Sequence, residues 1–136
     1  MRKIQLFCLS AFVISLSLSM VSCSVEKKIM GTWQIESYSE ESGNGSNANA
    51  KNIGNINLAK DGTGSNDLSY RILGSERIDK TNFTYKINNE NITIKTEDDA
   101  SEFAKSWIII ENKRKSQKWK STDGKGNIQT LILIKE

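Results

Sequence analysis

From residue 31 onwards, apolar and polar positions alternate in short stretches that are separated by turn-forming residues. The clearest stretch has Phe83, Tyr85 and Ile87 alternating with polar neighbours. A period of two places every second side chain on one face of an extended chain, and so indicates a strand with one buried face. The segment Asn88-Asn89-Glu90-Asn91 follows, and asparagine tolerates the backbone angles of a tight turn. The pattern therefore predicts a hairpin around residue 89.

Stretches of this kind recur along the chain and are joined mainly by short connections. The eight predicted strands lie at residues 32–36, 55–58, 68–72, 83–87, 92–94, 107–111, 117–122 and 128–135. Residues 97–105 leave room for one or two helical turns. Eight short antiparallel strands favour closure into a barrel, because a closed sheet has no exposed edge. The predicted fold class is all-β, an antiparallel up-and-down eight-stranded barrel.

Two kinds of segment interrupt the alternation. Residues 39–52 are rich in Ser, Gly and Asn, and we predict a long mobile loop there. Residues 108–110 and 131–134 are apolar at every position, so one face of each must point away from the core. We place Ile109, Ile132 and Ile134 inside. The residues expected on the outside, which would then need a covering partner, are Ile108, Ile110, Leu131 and Leu133.

The first 23 residues have the features of an export signal. Two basic residues precede an uncharged apolar run over residues 4–21, and Met20-Val21-Ser22-Cys23 ends it. A small residue followed by cysteine resembles the lipobox of bacterial lipoproteins, which implies a diacylglycerol on Cys23. The alternative is an uncleaved membrane anchor, since about 20 apolar residues span a bilayer. The serines within the run favour the first interpretation.

This interpretation divides the chain into a signal peptide (1–22), the lipidated Cys23 with a tether (23–29), and a barrel domain (30–136). It implies a lipid-anchored protein of the bacterial cell envelope, at the outer membrane or cell surface. Lys27 and Lys28 in the tether either contact anionic head groups or are simply solvated.

Composition argues against most kinds of catalysis. Histidine is absent, and the two cysteines, Cys8 and Cys23, belong to the signal and the lipid site, which leaves no base, thiol or zinc ligand of the usual kinds. The acidic run Glu97-Asp98-Asp99 is typical of a solvated loop. We therefore predict no catalytic residues, no metal and no cofactor, and a protein that is not an enzyme.

Charge does not point to a nucleic-acid partner. Two of the 19 basic residues lie in the signal, against 16 acidic residues that all follow it, so the remaining chain is nearly neutral. One basic cluster is nevertheless present, Lys113-Arg114-Lys115 followed by Lys118, Trp119 and Lys120. It suits phosphate or an acidic glycan, or it is a hairpin whose Trp119 points inward while the lysines meet solvent.

Three short motifs resemble the small lipocalin-like domains of bacterial lipoproteins. Gly31-Thr32-Trp33 resembles their opening G-x-W signature, residues 57–64 resemble a strand with a D-G-T-G turn, and residues 83–87 resemble an F-x-Y core strand. The resemblance implies a barrel that is closed near Trp33 and open at the other end, with residues 39–52 as a lid. The last strand lacks the arginine that packs over the tryptophan in this family, and Lys135 is the only cation there.

Two functions remain open. In the first, Tyr70, Tyr85 and Trp119 line the mouth of the barrel and bind a small hydrophobic ligand. In the second, the aromatic residues only fill the core, and the barrel docks another envelope protein through its outer apolar strands. The expected partners are thus the membrane, a small hydrophobic molecule and an envelope protein.

Overall fold

The computed structural model describes residues 24–98 and 101–136, so the predicted signal peptide and Cys23 lie outside the described residues. Within these residues, a short helix α1 (Ser24–Ile29) precedes eight strands. The strands are β1 (Gly31–Glu41), β2 (Asn47–Leu58), β3 (Thr63–Ile72), β4 (Ser75–Ile87), β5 (Asn91–Lys95), β6 (Ser106–Asn112), β7 (Ser116–Thr122) and β8 (Ile128–Lys135). In the described part, no helix is both long and apolar enough to cross a membrane.

The strands form one closed antiparallel barrel in sequence order, with β8 pairing back onto β1. This confirms the predicted fold class. The up-and-down order places α1 and the turns after β2, β4 and β6 at one end, which we call the closed end. The turns after β1, β3 and β7 and the loop between β5 and β6 lie at the other, the open end. Alternate side chains of every strand meet in the interior, as the period-two pattern predicts.

The closed end is sealed by α1 and by the tryptophan of the G-x-W motif. Ile29 is fully buried, and its carbonyl accepts a hydrogen bond of 2.6 Å from Nε1 of Trp33. Lys135 places Nζ 4.5 Å from the centre of the Trp33 ring and donates to the carbonyl of Met30. The segment that we predicted as a tether is therefore helical over residues 24–29 and ends inside the core.

The prediction of a long loop over residues 39–52 is wrong. Strand β1 continues to Glu41, which pairs with Asn47 of β2, and only residues 42–46 form a turn. Tyr38 and Ala50 fill the inner positions of these extensions, whereas the serines and asparagines lie on the outer face. The polar composition of this segment thus reflects the exposed face of a hairpin and not a loop. Its inner face needs few large apolar residues, because a small residue such as alanine is enough at the rim of the barrel.

The predicted orientation of β8 is also wrong. Leu131 and Leu133 are 1% and 0% exposed and point inward, whereas Ile134 is 37% exposed. In the register, Leu131 lies between Trp119 of β7 and Tyr38 of β1, both of which are buried. Paired residues share a face of the sheet, so the neighbouring strands decide which face β8 buries. A run of four apolar residues carries no such information by itself.

The outward isoleucines of β6 agree with the prediction. Ile108 and Ile110 are each 50% exposed, while Ile109 is partly buried against the core. The apolar outer positions of β6 and β8 are therefore isoleucines, and the outer lysines of β7 lie between the two strands. The leucines of β8 do not belong to this outer set.

Candidate ligand site at the open end

An open cleft of about 500 Å³ lies at the open end of the barrel. Charged and polar side chains from different elements line it: Glu40 from β1, Arg77 from β4, Gln129 from β8, and both Glu102 and Lys105 from the β5–β6 loop. Two apolar side chains, Ala48 and Leu73, also face it. The cleft therefore offers charges of both signs beside an apolar wall.

Arg77 is the centre of the polar network in this cleft. Its Nη1 donates to Oε2 of Glu102 at 2.5 Å and lies 3.6 Å from Oε1 of Glu40. The Tyr38 hydroxyl donates to Glu40 at 2.6 Å, and the Tyr70 hydroxyl donates to Glu102 at 3.4 Å. Two carboxylates and two hydroxyls thus hold one guanidinium at the mouth of the barrel.

An aromatic cluster fills the interior beneath these charges. The rings of Tyr38 and Tyr70 meet edge to face with their centres 5.6 Å apart, and Phe103 lies 5.3 Å from Tyr38. Phe103 also stacks on Trp107, with ring centres 6.0 Å apart and planes within 18°. Offset and edge-to-face arrangements of this kind are the preferred ones for aromatic rings. The floor of the cleft is therefore apolar and tightly packed.

Phe103 reaches this cluster because the loop before β6 folds over the barrel end. We call residues 101–105 the plug loop. The Ser101 hydroxyl donates a hydrogen bond to Asp79 at 2.5 Å and accepts one from the Phe103 amide at 3.2 Å. Nε1 of Trp107 donates to the Phe103 carbonyl at 3.0 Å. Residues 101–105, in the segment where the sequence left room for one or two helical turns, thus form a plug. Asp99 of the acidic run lies outside the described residues.

Burial changes the ionisation of the groups around the cleft. It raises the pKa of Tyr70 to about 12, with the Glu102 carboxylate as the second cause. Burial and the hydrogen bond to Glu40 also raise the pKa of Tyr38. Burial lowers the pKa of Lys105, whose Nζ donates to Gln129 at 2.6 Å, although Glu102 opposes this shift. Both hydroxyls therefore stay protonated and remain hydrogen-bond donors at neutral pH.

A known family accounts for this architecture. Residues 29–114 match the family model described as a lipocalin-like domain. The chain belongs to the lipocalin-like domain family. No curated protein matches the chain.

Two solved structures share the fold of this lipocalin-like chain. A lipocalin-like protein from Bacteroides uniformis superposes with a TM-score of 0.53 and 16% identity, covering 80% of this chain and 99% of that one. A de novo designed fluorescence-activating β-barrel superposes with a TM-score of 0.50 and 11% identity, covering 86% of this chain and 100% of the design. At such low identities the similarity shows the shape of the barrel alone.

The lipocalin-like barrel does not bring the three predicted ligand residues together. Tyr70 lies at the open end, in the aromatic cluster. Tyr85 lies towards the closed end, where its hydroxyl donates to the carbonyl of Ala59. Trp119 is fully buried in the wall, with Nε1 donating to Gln117 at 3.3 Å. Of the three, only Tyr70 is close to the cleft.

The charged residues of the cleft were not predicted from the sequence, although β4 carries a signal for one of them. Counting back by twos from Phe83 gives Thr81, Asp79 and Arg77 on the same face, and all three point towards the interior. A polar series in phase with a buried aromatic residue indicates an open barrel end. Glu102 and Lys105 had no such signal, because a loop has no fixed period.

The other sequence candidates have simpler roles. Trp119 points inward and Lys118 and Lys120 lie on the opposite face of β7, as expected for a hairpin with a buried tryptophan. Among residues 24–98 and 101–136, no group of three or more His, Cys, Asp or Glu side chains is arranged to hold a metal ion.

Proposed function

We propose that this lipocalin-like chain is a non-enzymatic lipoprotein of the bacterial cell envelope that binds a small, largely apolar molecule at its open end. One observation carries the ligand proposal: the Arg77 network, with its inward charges, lies directly above the aromatic cluster. Ligand sites are typically concave and apolar, with a few convergent polar groups that set orientation. The fold family is consistent with this use.

In this proposal the ligand lies in the cleft with its apolar part against Leu73, Ala48 and the aromatic floor. One polar group of the ligand contacts Arg77 or Lys105, which are the cations of the cleft. The rings beneath the cleft occupy the interior, so the ligand is small and does not enter the barrel as a long chain.

Binding of 1-anilinonaphthalene-8-sulfonate to the full chain tests the ligand proposal, because this probe joins an aromatic body to one anionic group. We expect saturable binding, weakened about tenfold in Arg77→Met, because a hydrogen bond to a charged group contributes roughly 1.5–3 kcal/mol. Arg71→Met is the matched control, since Arg71 lies on the outer face of β3. It should bind the probe as the unmodified chain does.

The fold of each variant is checked by its thermal unfolding. Absence of saturable binding to the folded chain, or equal losses in both variants, would contradict the ligand proposal. Absence of binding would instead favour a second function, the docking of another envelope protein. The exposed isoleucines favour that function: Ile108, Ile110, Ile128 and Ile134 leave the outer face of β6 and β8 apolar.

Metabolic labelling with palmitate tests the lipid anchor. We expect the unmodified chain to incorporate the label and Cys23→Ala to incorporate none, because the thiol of Cys23 is the proposed attachment site. Cys8→Ala is the matched control, as Cys8 lies in the predicted signal peptide, and it should keep the label. Label in Cys23→Ala would show that the anchor assignment is wrong.

A further inference from the structure

Basic side chains gather at the closed end of the barrel. Lys27 and Lys28 of α1, Arg114 and Lys115 of the β6–β7 turn, and Lys135 of β8 together line one shallow depression. The first four are exposed, and Lys135 is half-buried over Trp33. We call these five residues the basic face. They come from three distant parts of the chain, so only the closed barrel assembles them.

Among the described residues, the basic face is not neutralised by ion pairs. Its lining contains no carboxylate, and within residues 24–98 and 101–136 none of its five side chains forms a salt bridge. Glu26 of α1 lies to one side, in a neighbouring depression with Lys60 and Asp61. Like charges held close together repel one another, and a polyanionic partner relieves that repulsion.

The two depressions at the ends of the barrel differ in charge. The basic face has only cations, whereas the lining of the open cleft holds Glu40, Glu41, Glu102 and Asp123 against Arg77 and Lys105. An extended anionic surface is therefore attracted more strongly to the basic face than to the cleft, where carboxylates outnumber cations. The molecule has one preferred orientation at such a surface.

The position of Cys23 indicates which surface this is. Cys23 directly precedes α1, the helix that carries Lys27 and Lys28, so a lipid on Cys23 enters the membrane beside the basic face. We propose that the basic face docks on the anionic head groups of the membrane and holds the ligand cleft away from it. This inference rests on the proposed lipid anchor.

The anchor and the basic face would then act together. Attraction between basic side chains and an anionic leaflet falls off within a Debye length, about 8 Å at physiological ionic strength. A lipid on the residue before α1 keeps the basic face within that distance. The contact should therefore weaken with added salt, while the lipid itself stays inserted.

Lysine footprinting tests the docking directly. The full chain is reconstituted in vesicles of phosphatidylcholine, or of an equal mixture of phosphatidylcholine and phosphatidylglycerol. A water-soluble acetylating reagent is applied, and each lysine is followed by mass spectrometry. We expect Lys28 and Lys115 to react several-fold more slowly on the anionic vesicles, and this protection to be lost at high salt. Lys80 and Lys125, in β4 and the open-end β7–β8 turn, should react equally on both.

A charge variant provides the second comparison. The triple variant Lys113→Gln, Arg114→Gln, Lys115→Gln should lose the protection of Lys28 on anionic vesicles. The matched control Lys51→Gln, Lys80→Gln, Lys125→Gln removes three exposed charges outside the closed end, and it should keep that protection. Because the vesicles contain no other protein, a protein partner cannot produce either result.

The same spectra report the mass of the peptide that contains Cys23, so the anchor and the docking are scored separately. A lipidated chain with equal reactivity of Lys28 on both vesicles would overturn the docking and leave the anchor intact. Protection of Lys28 without a lipid on Cys23 would overturn the anchor and leave the basic face as a membrane site.

Discussion

The three tyrosines of the chain each bury a hydroxyl towards one end of the barrel. The chain has three tyrosines, and each hydroxyl donates a hydrogen bond: Tyr38 to Glu40, Tyr70 to Glu102, and Tyr85 to the carbonyl of Ala59. Burial is the main cause of the raised pKa of all three groups. Ionisation of any of them would place a negative charge in a poorly solvated position.

The tyrosines should therefore ionise at higher pH in the folded chain than in the unfolded chain. We expect little phenolate absorbance near pH 10, the ordinary pKa, and a rise only towards pH 12 for Tyr70. The unfolded chain binds fewer protons than the folded chain between these values, so the free energy of unfolding should decrease as the pH rises through them. Phenolate absorbance and urea unfolding measured across this range check both expectations.

Tyr70→Phe is the control for that experiment. It removes one late-ionising hydroxyl, so less stability should be lost between pH 10 and 12 than in the unmodified chain. Phenolate absorbance of the folded chain that already rises around pH 10 would contradict the buried state of these hydroxyls.

Lys135 packs over the first tryptophan of the barrel, where the family pattern has an arginine. The lipocalin resemblance implies a cation over the first tryptophan, and Lys135 is the only cation in the last predicted strand. In the structure, Nζ of Lys135 lies 4.5 Å from the centre of the Trp33 ring. The sequence showed that the arginine is missing from the last strand, but it did not predict that Lys135 takes its place.

At the scale of the elements, β2 departs from a regular strand. Asn52 and Gly54 have positive φ values of 50° and 131°, and the register of β1 against β2 shifts between Ile35 and Ser37. Such bulges bend a strand and help a sheet to close. Glycine is required at residue 54, since a Cβ there would collide with the carbonyl of Asp67.

Gly54→Ala should therefore destabilise the barrel by more than about 1 kcal/mol, because alanine fits neither the backbone angle nor the space. The denaturant midpoint in urea is the measurement. Gly43→Ala is the control: its φ is ordinary, and the added methyl would meet only the carbonyl of Gly126 at 3.5 Å. A loss at residue 54 no larger than at residue 43 would refute the role of the bulge.

The elements also mark the limit of the period-two pattern. Strand number and order were predictable, because alternation and turn residues are local properties of the chain. The extensions of β1 and β2 were not, since their outer faces are as polar as a loop. The orientation of β8 was not either, because Leu131 is turned inward by its partners Tyr38 and Trp119.

At the scale of the whole molecule, the site was less predictable than the fold. Tyr70 and Tyr85 both lie on inner faces, as their phase indicates, yet they occupy opposite ends of the barrel. The end of the barrel at which a residue lies depends on the direction and length of its strand, and the sequence pattern did not fully determine either. The plug loop adds Phe103 from outside any strand, so no periodicity could reveal it.

The pairing of β8 with β1 has a consequence for the folding of the chain. Strand β8 bonds to β7 on one side and to β1 on the other, and Trp33 pairs with Lys135. Until β8 takes its place in the sheet, β1 and β7 each present a free edge, and free edges recruit strands from other molecules. The addition of β8 to the sheet thus ends the interval in which the folding chain is prone to aggregate. A chain that ends before residue 128 would keep both edges exposed, and we expect it to aggregate.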